Sequence, residues 1–333
     1  MRLLVKSIDD DGRLAPLPTL VTTAWDIVVA DPSKPVEFAA ALATADAMVS
    51  MNWPPDMPPA PRLRLLQLPG AGTDEIAFDA LPAATTVCNA YEHEIGIAEY
   101  VLAAILRRTV DLDRMDRDMR QGRWWGSHLC GPRHGDVYGK TLAIIGYGRI
   151  GREVAKRAAA FGMRVIAASR TPRGADAWCE EVAPMSRVTE VVSQADFVLA
   201  ALPLDATTRG VVDASVLGAM KPAGVIINVG RGATVDEEAL YVALRDGRIG
   251  GAVIDTWYSY PPQGPDRIPE HAPSRFPFHR LPNVIMTPHA SAWTDALRER
   301  RCRVIATNLD RLARGEPQIN VVRAATLRST QTA

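Results

Sequence analysis

Three glycines in fixed register, Gly146, Gly148 and Gly151, are the residues of this chain whose spacing most directly implies chemistry. The run before them, Thr141-Leu142-Ala143-Ile144-Ile145, is continuously apolar, as in a parallel strand covered on both faces. Behind them Ile150, Val154, Ala158 and Phe161 recur at helical spacing. Strand, glycine turn and helix in that order separate a G-x-G-x-x-G that grips a dinucleotide from an ordinary βα turn. Gly146 permits the tight turn, Gly148 lets a pyrophosphate approach the backbone, and Gly151 lets helix and strand pack closely. The helix start, with Arg149 and Ile150 between the last two glycines, offers N–H groups and a positive dipole end to the phosphates.

The next strand bears on which dinucleotide. An acid at its end would take the ribose 2′-hydroxyl of NAD, whereas arginine accommodates the 2′-phosphate of NADP. That strand ends Ala168-Ser169-Arg170-Thr171-Pro172-Arg173, and no acid lies between Glu153 and Asp176. Arg170 and Arg173 can pair with a phosphate, and Ser169 and Thr171 can donate hydroxyls. The competing reading is that Arg170 stacks on the adenine of NAD. The missing acid favours NADP over NAD.

These residues need sheets to hold them. In the second half, Arg164–Ala168, Phe197–Leu202, Val225–Val229, Ala252–Ile254 and Val284–Met286 read as buried strands. Asp236 caps a helix over Glu237–Arg245 that Gly247 closes. In the first half, Leu3–Val5, Asp26–Ala30, Ala47–Val49, Leu63–Leu68 and Thr86–Asn89 read as strands, with a helix at Val36–Leu42. Strands alternating with helices predict an α/β fold of two doubly wound parallel sheets, Rossmann-like and flavodoxin-like. A long helix is expected from Glu92, its apolar face marked by Ile95, Ala98, Leu102, Ile105, Leu112, Met115 and Met119. A last helix runs from beyond Ser291 to about Arg314, where Gly315-Glu316-Pro317 ends it.

At 333 residues the chain exceeds the usual size of a single core, which predicts two domains. With 38 basic and 38 acidic residues it carries no electrostatic footprint for nucleic acid or an anionic membrane. No apolar run reaches bilayer length, and the N-terminus turns acidic before a signal-peptide core could form. The four cysteines, Cys88, Cys130, Cys179 and Cys302, are far apart, which suits a reduced, cytoplasmic protein. His128, Cys130 and His134 fit no zinc spacing, and no metal is expected.

Several segments, in order, resemble the D-isomer-specific 2-hydroxyacid dehydrogenase family. They are Leu202-Pro203-Leu204 with Thr207-Thr208-Arg209-Gly210, then Met220-Lys221-Pro222, Asn228-Val229-Gly230-Arg231-Gly232 with Val235-Asp236, Gly251–Asp255, and Pro282-Asn283-Val284 leading to Thr287-Pro288-His289. Gly70-Ala71-Gly72-Thr73-Asp74 and Ile97-Ala98-Glu99 match weaker signatures. Taken singly, Arg231 could be a surface residue and His289 a core histidine. The resemblance implies instead that Arg231 binds the substrate carboxylate and that His289 is general acid in reduction and general base in oxidation. It implies that N–H groups around Ala71 and Gly72 hold the carboxylate's other end. Asp255 would contact the nicotinamide carboxamide, with Leu202 and Pro203 lining its pocket and Val229 beside it. It further implies a dinucleotide domain, 96–290, inserted into a substrate domain made of 1–95 and 291–333, and a homodimer. The implied activity is hydride transfer between NADP and a small 2-oxo or 2-hydroxy acid of the glyoxylate or hydroxypyruvate type.

One position departs from the family. A glutamate is usual five residues after the position of Asp255, where it hydrogen-bonds the histidine; here Tyr260 stands there. A carboxylate would raise the histidine pKa, and a neutral phenol would not. Tyr260 is therefore expected to orient His289 without charging it, unless Asp266 or Glu270 substitutes for the missing acid. Because formate dehydrogenases of the same superfamily also lack the glutamate, dehydrogenation of formate or phosphite is a rival activity. A nucleotide-sensing corepressor is a rival of another class. The Pro-rich segment that Tyr260 opens reads either as a surface insertion or as a cap over the substrate.

Overall fold

The computed structural model describes residues 1–7, 12, 14–262 and 270–326, and the chain divides into two compact units. One is Met1–Glu92 with Thr294–Ala333, and the other is His93–Trp293. The chain begins with β1 (Arg2–Lys6), α1 (Leu17–Leu20), β2 (Asp26–Ala30), α2 (Pro35–Thr44), β3 (Ala47–Val49), β4 (Leu65–Gln67) and β5 (Thr86–Cys88). The second unit follows with α3 (His93–Val110), α4 (Leu112–Arg120), β6 (Thr141–Ile145), α5 (Arg149–Ala160), β7 (Arg164–Ser169), β8 (Val182–Pro184), α6 (Val188–Ser193) and β9 (Phe197–Ala200). It continues through α7 (Ala214–Ala219), β10 (Val225–Asn228), α8 (Glu237–Arg245), β11 (Gly251–Ile254) and β12 (Val284–Met286). Then α9 (Asp295–Arg314) and β13 (Val321–Arg323) return the chain to the first unit.

The second unit's sheet has the order β12-β11-β10-β9-β6-β7-β8 and every pairing is parallel. Counted within the unit this is 3-2-1-4-5-6 with a further strand at the edge, the dinucleotide-binding order. Strand β6 is buried along its whole length, which accounts for its unbroken apolar run. The strand order reverses between β6 and β9, so the ligand crevice of such a sheet opens outside their C-terminal ends. The Gly146 turn sits there. Leu142, Ile144, Leu199 and Ile227 form one face of the core with α3 and α5, and Ile145, Val198, Ile226 and Ile254 the other with α6 to α8.

In the first unit the parallel strands run β5-β4-β3-β1-β2, the flavodoxin-like order, and β13 adds an antiparallel edge beside β5. Two polar groups seat the returning helix α9. The Asn308 amide donates to Gln67 Oε1 at 2.7 Å and its carbonyl accepts from Ile319 N at 2.7 Å. The Asp310 carboxylate accepts from backbone and hydroxyl of both Thr22 and Thr23, between 2.5 and 3.1 Å.

The single long helix expected from Glu92 is two helices. Asp111 breaks it in the left-handed conformation, φ 52°, which aspartate tolerates better than most residues. Beyond the break α4 buries nothing: Leu112 is 68% and Met119 49% exposed. Periodicity defines an apolar face but not what covers it. The short elements α1, α6, α7, β8 and β13 have too few residues to carry a periodic signal in the sequence. No helix among the described residues is long and apolar enough to cross a membrane.

Burial alone would raise the Asp310 pKa, but the hydrogen bonds from Thr22 and Thr23 outweigh it and hold the carboxyl below its ordinary range. A folded pKa below the unfolded one gives stability that is present above about pH 4 and is lost as pH falls through the folded value. Asp310→Ala should therefore lose about 2–4 kcal/mol in urea denaturation near neutral pH. That deficit should shrink in acid, and a deficit independent of pH would contradict the assignment.

Candidate active site

The glycine turn is shaped from inside at two positions and left open at the third. Gly146 has φ 101°, and a Cβ there would stand 2.7 Å from the Ala201 carbonyl oxygen. A Cβ on Gly151 would stand 2.5 Å from the Gly146 carbonyl oxygen, so helix α5 can approach β6 only with glycine there. Gly148 has an ordinary φ of −85° and a Cβ would meet nothing within 4 Å. Neither conformation nor internal packing requires glycine at 148, so the empty side is room for an approaching group. Helix α5 begins at Arg149 with no side-chain cap, leaving its start to an anion. These observations fit a dinucleotide pyrophosphate at this turn.

Between the glycines, Tyr147 turns inward. It is buried, its hydroxyl donates to the Asp176 carboxylate at 3.0 Å, and burial pushes its pKa up. Arg173 is spent on this residue: Nη2 donates to the Tyr147 carbonyl at 3.0 Å and the guanidinium lies 5.0 Å from the Tyr147 ring centroid. Arg170 is bonded too, to Asp205 Oδ2 at 3.1 Å. The second strand's tail thus carries two arginines as expected, but neither guanidinium is without a partner. An acid does reach Arg170, from the loop after β9. Reading only the second strand's tail misses it, because the sheet order brings those distant segments to the two flanks of β6. Ser169 is half-buried and Thr171 exposed.

Arg231 follows β10 in a tight bend that explains its two glycines. A Cβ on Gly230 would stand 2.6 Å from the Leu202 carbonyl oxygen, and one on Gly232 would collide with the Trp257 carbonyl. Asn228 Oδ1 accepts from Gly230 N, and the Thr234 hydroxyl and N–H both donate to the Arg231 carbonyl. The backbone at Arg231 is thereby fixed between the loops after β9 and β11.

His289 lies after β12 in the left-handed conformation, φ 57°, a strained state for a side-chain-bearing residue that needs its surroundings to hold it. Asp255 supplies the hold. Its fully buried carboxylate accepts from Thr287 Oγ1 at 2.6 Å, Ala290 N at 2.8 Å and Ser291 N at 3.0 Å, bracketing His289 on both sides. Thr287 spends its one hydroxyl proton on Asp255, so at 2.7 Å it accepts from Tyr100. Trp257 Nε1 donates to the Thr287 carbonyl at 2.7 Å.

Of the expected cofactor positions, Asp255 has its carboxylate in the histidine loop, where three donors converge on it. Leu202 and Val229 are buried in the core, while Pro203 is exposed. Tyr260 does stand beside His289, with ring centroids 5.6 Å apart. Its hydroxyl oxygen accepts from Trp257 N at 3.0 Å, and among the described residues no hydrogen bond joins it to the imidazole, so the two rings meet by packing. Among the described residues of this unit no carboxylate hydrogen-bonds His289; Glu270 is exposed, and Asp266 lies outside the described residues. Burial first, opposed by the Asp255 charge and joined by the Arg231 charge, lowers the His289 pKa from its ordinary value. Both charged residues are therefore close enough to act on the imidazole.

The described end of the Pro-rich segment is packed. The Pro273 carbonyl accepts from Tyr258 N and Ser259 N, Glu237 accepts from Ser274 and Arg275, and Phe278 is buried against Tyr241 and Trp257. In the first unit, Ala71 and Gly72 follow β4 in a loop that Asn89 Nδ2 fixes by donating to the Ala71 carbonyl at 3.0 Å. The N–H groups of Ala71 and Gly72 donate to no acceptor among the described residues.

Residues 102–291 match the family described as D-isomer specific 2-hydroxyacid dehydrogenase, NAD binding domain. A glyoxylate reductase of Thermococcus gammatolerans is 34% identical over 77% of this chain and 75% of its own length. A D-3-phosphoglycerate dehydrogenase of Methanocaldococcus jannaschii is 31% identical over 79% of this chain, which spans only 48% of that relative. Among solved structures, an NADPH-dependent glyoxylate/hydroxypyruvate reductase of Sinorhizobium meliloti, in complex with NADP and malonate, is 25% identical with a TM-score of 0.72, covering 98% of each chain. A match over more than half its length, joined to a relative at 34% identity, makes this chain a member of the D-isomer specific 2-hydroxyacid dehydrogenase family, an oxidoreductase built on an NAD-binding domain.

Proposed function

We propose that the chain is a reductase of small 2-oxo acids of the glyoxylate or hydroxypyruvate type that uses NADP in preference to NAD. The observation that carries this reading is the pairing of Arg231 with a strained His289 whose loop is held by Asp255. When bound, the cofactor supplies the hydride. Arg231 binds the planar carboxylate through its fork of N–H donors and draws charge from the adjacent carbonyl. His289 gives a proton to the carbonyl oxygen in reduction and takes it back in oxidation. Ala71 and Gly72 keep the role of carboxylate donors, which their unspent N–H groups support. The names of the glyoxylate reductase relatives support the substrate class. The exposed Arg170 after β7 and the missing strand-end acid support NADP.

A second reading, oxidation of another small anion such as formate or phosphite, draws on Tyr260, which stands beside His289 with no carboxylate hydrogen-bonded to the imidazole among the described residues. The expected homodimer has its support in α4 and the segment behind it, where Leu112, Met119, Trp124, Trp125 and Leu129 are all exposed.

Oxidation of NADPH by glyoxylate and hydroxypyruvate, followed at 340 nm with NADH in parallel, should show turnover favouring NADPH. Replacing His289 with Ala should cost at least about a hundred-fold in kcat. Turnover with formate or phosphite alone would move the assignment to the second reading, and equal efficiency with NADH would contradict the cofactor choice.

Reduction needs imidazolium, and the lowered His289 pKa means that this form is lost as pH rises through a value below the ordinary histidine range. The reduction rate should therefore fall as pH rises through the mildly acidic range, while oxidation rises over the same interval. Tyr260→Glu places a carboxylate beside the ring and should move both limbs to higher pH. An unchanged profile in that variant would show that position 260 does not tune the histidine.

A further inference from the structure

Arg170 and Asp205 reach each other from opposite flanks of the glycine turn. Arg170 follows β7, Asp205 follows β9, and β6 lies between those strands in the sheet. Their ion pair, 3.1 Å from Nη1 to Oδ2, thus spans the C-terminal end of β6 at the switch point of the strand order.

The two partners are not held alike. Asp205 Oδ1 accepts from Thr207 N at 2.8 Å, Thr207 Oγ1 at 2.6 Å and Thr208 N at 3.1 Å. Thr208 Oγ1 in turn donates to the Pro203 carbonyl at 2.7 Å and accepts from Asp205 N at 2.8 Å. The carboxylate is a fixed post. The Arg170 side chain is 63% exposed, and among the described residues Asp205 is its one bonded partner. The guanidinium is the arm that can turn.

We propose that Asp205 is a specificity-determining residue for the adenosine half of the cofactor, acting as a latch that occupies Arg170. The inference rests on the reading that the second-strand tail receives a 2′-phosphorylated ribose. A 2′-phosphate gains Arg170 only by displacing the carboxylate or sharing its N–H donors, whereas an unphosphorylated ribose breaks no pair. Asp205 therefore narrows the discrimination that the arginines alone would give, and removing its charge widens it. Arg170 and Asp205 act as one unit in this respect, so their effects are non-additive.

The test is a double-mutant cycle read by calorimetry on the full chain, with adenosine 2′,5′-bisphosphate and 5′-AMP as probes. Asp205→Asn keeps an Oδ1 acceptor for Thr207 and Thr208 and removes only the charge. It should tighten the bisphosphate by about two- to five-fold, the range expected for releasing an exposed ion pair, and leave 5′-AMP unchanged. Arg170→Gln should weaken the bisphosphate, and adding Asp205→Asn to it should recover nothing. Three results would overturn the latch: no tightening, equal tightening of both probes, or the same tightening without Arg170, which would mean simple charge repulsion. Wild-type discrimination between the probes tests the cofactor reading separately, so a wild type that binds both equally defeats that reading, whereas the cycle judges Asp205.

Discussion

The carboxylate of Asp255 is the constraint on which the second unit's site depends. It is fully buried, and three donors from the segment around His289 converge on it. Burying a carboxylate is costly unless its lone pairs are satisfied, and here the satisfaction comes from the loop that must be held. That loop carries a histidine at positive φ, which would relax without such an anchor. The anchor is itself backed by the Tyr100 hydroxyl through Thr287, so helix α3, strand β11 and the histidine loop form one hydrogen-bonded unit.

The other half of the arrangement is steric. Gly230 and Gly232 let the Arg231 bend press between the loops after β9 and β11, with carbonyls where side chains would otherwise stand. Gly146 and Gly151 do the same between β6, α5 and the loop after β9. The Arg231 bend and the glycine turn are thus set by backbone contact to the loops at neighbouring strand ends. Of these five glycines only Gly148 faces open space, which fits the close approach of a ligand there.

The fold was legible because long buried strands and the glycine turn carry strong local signals. Both units have the parallel-dominated α/β sheets that were expected, and the ends of most elements shift by a residue or two. What escaped was either confined to a few residues or brought together from distant segments. The break at Asp111 is a single left-handed residue inside an otherwise helical pattern. Asp205 meets Arg170 only because β7 and β9 flank β6, and no scan of the second strand's tail could show it. Arg231, His289 and Tyr260 were legible through family resemblance and not through their own spacing. The structure adds why His289 stays where it is, and that the Tyr260 hydroxyl accepts from Trp257 N.

The most direct test of the Asp255 anchor is single-turnover reduction of glyoxylate by NADPH in Asp255→Asn, with NADPH affinity measured on the same sample. Asparagine cannot accept at both side-chain positions, so the histidine loop loses part of its hold while the glycine turn is untouched. The anchor predicts a hydride-transfer rate lower by about a hundred-fold, the cost of a displacement near 1 Å, with NADPH affinity unchanged. A variant that transfers hydride at the wild-type rate would contradict it, because His289 would then be held by something other than this carboxylate.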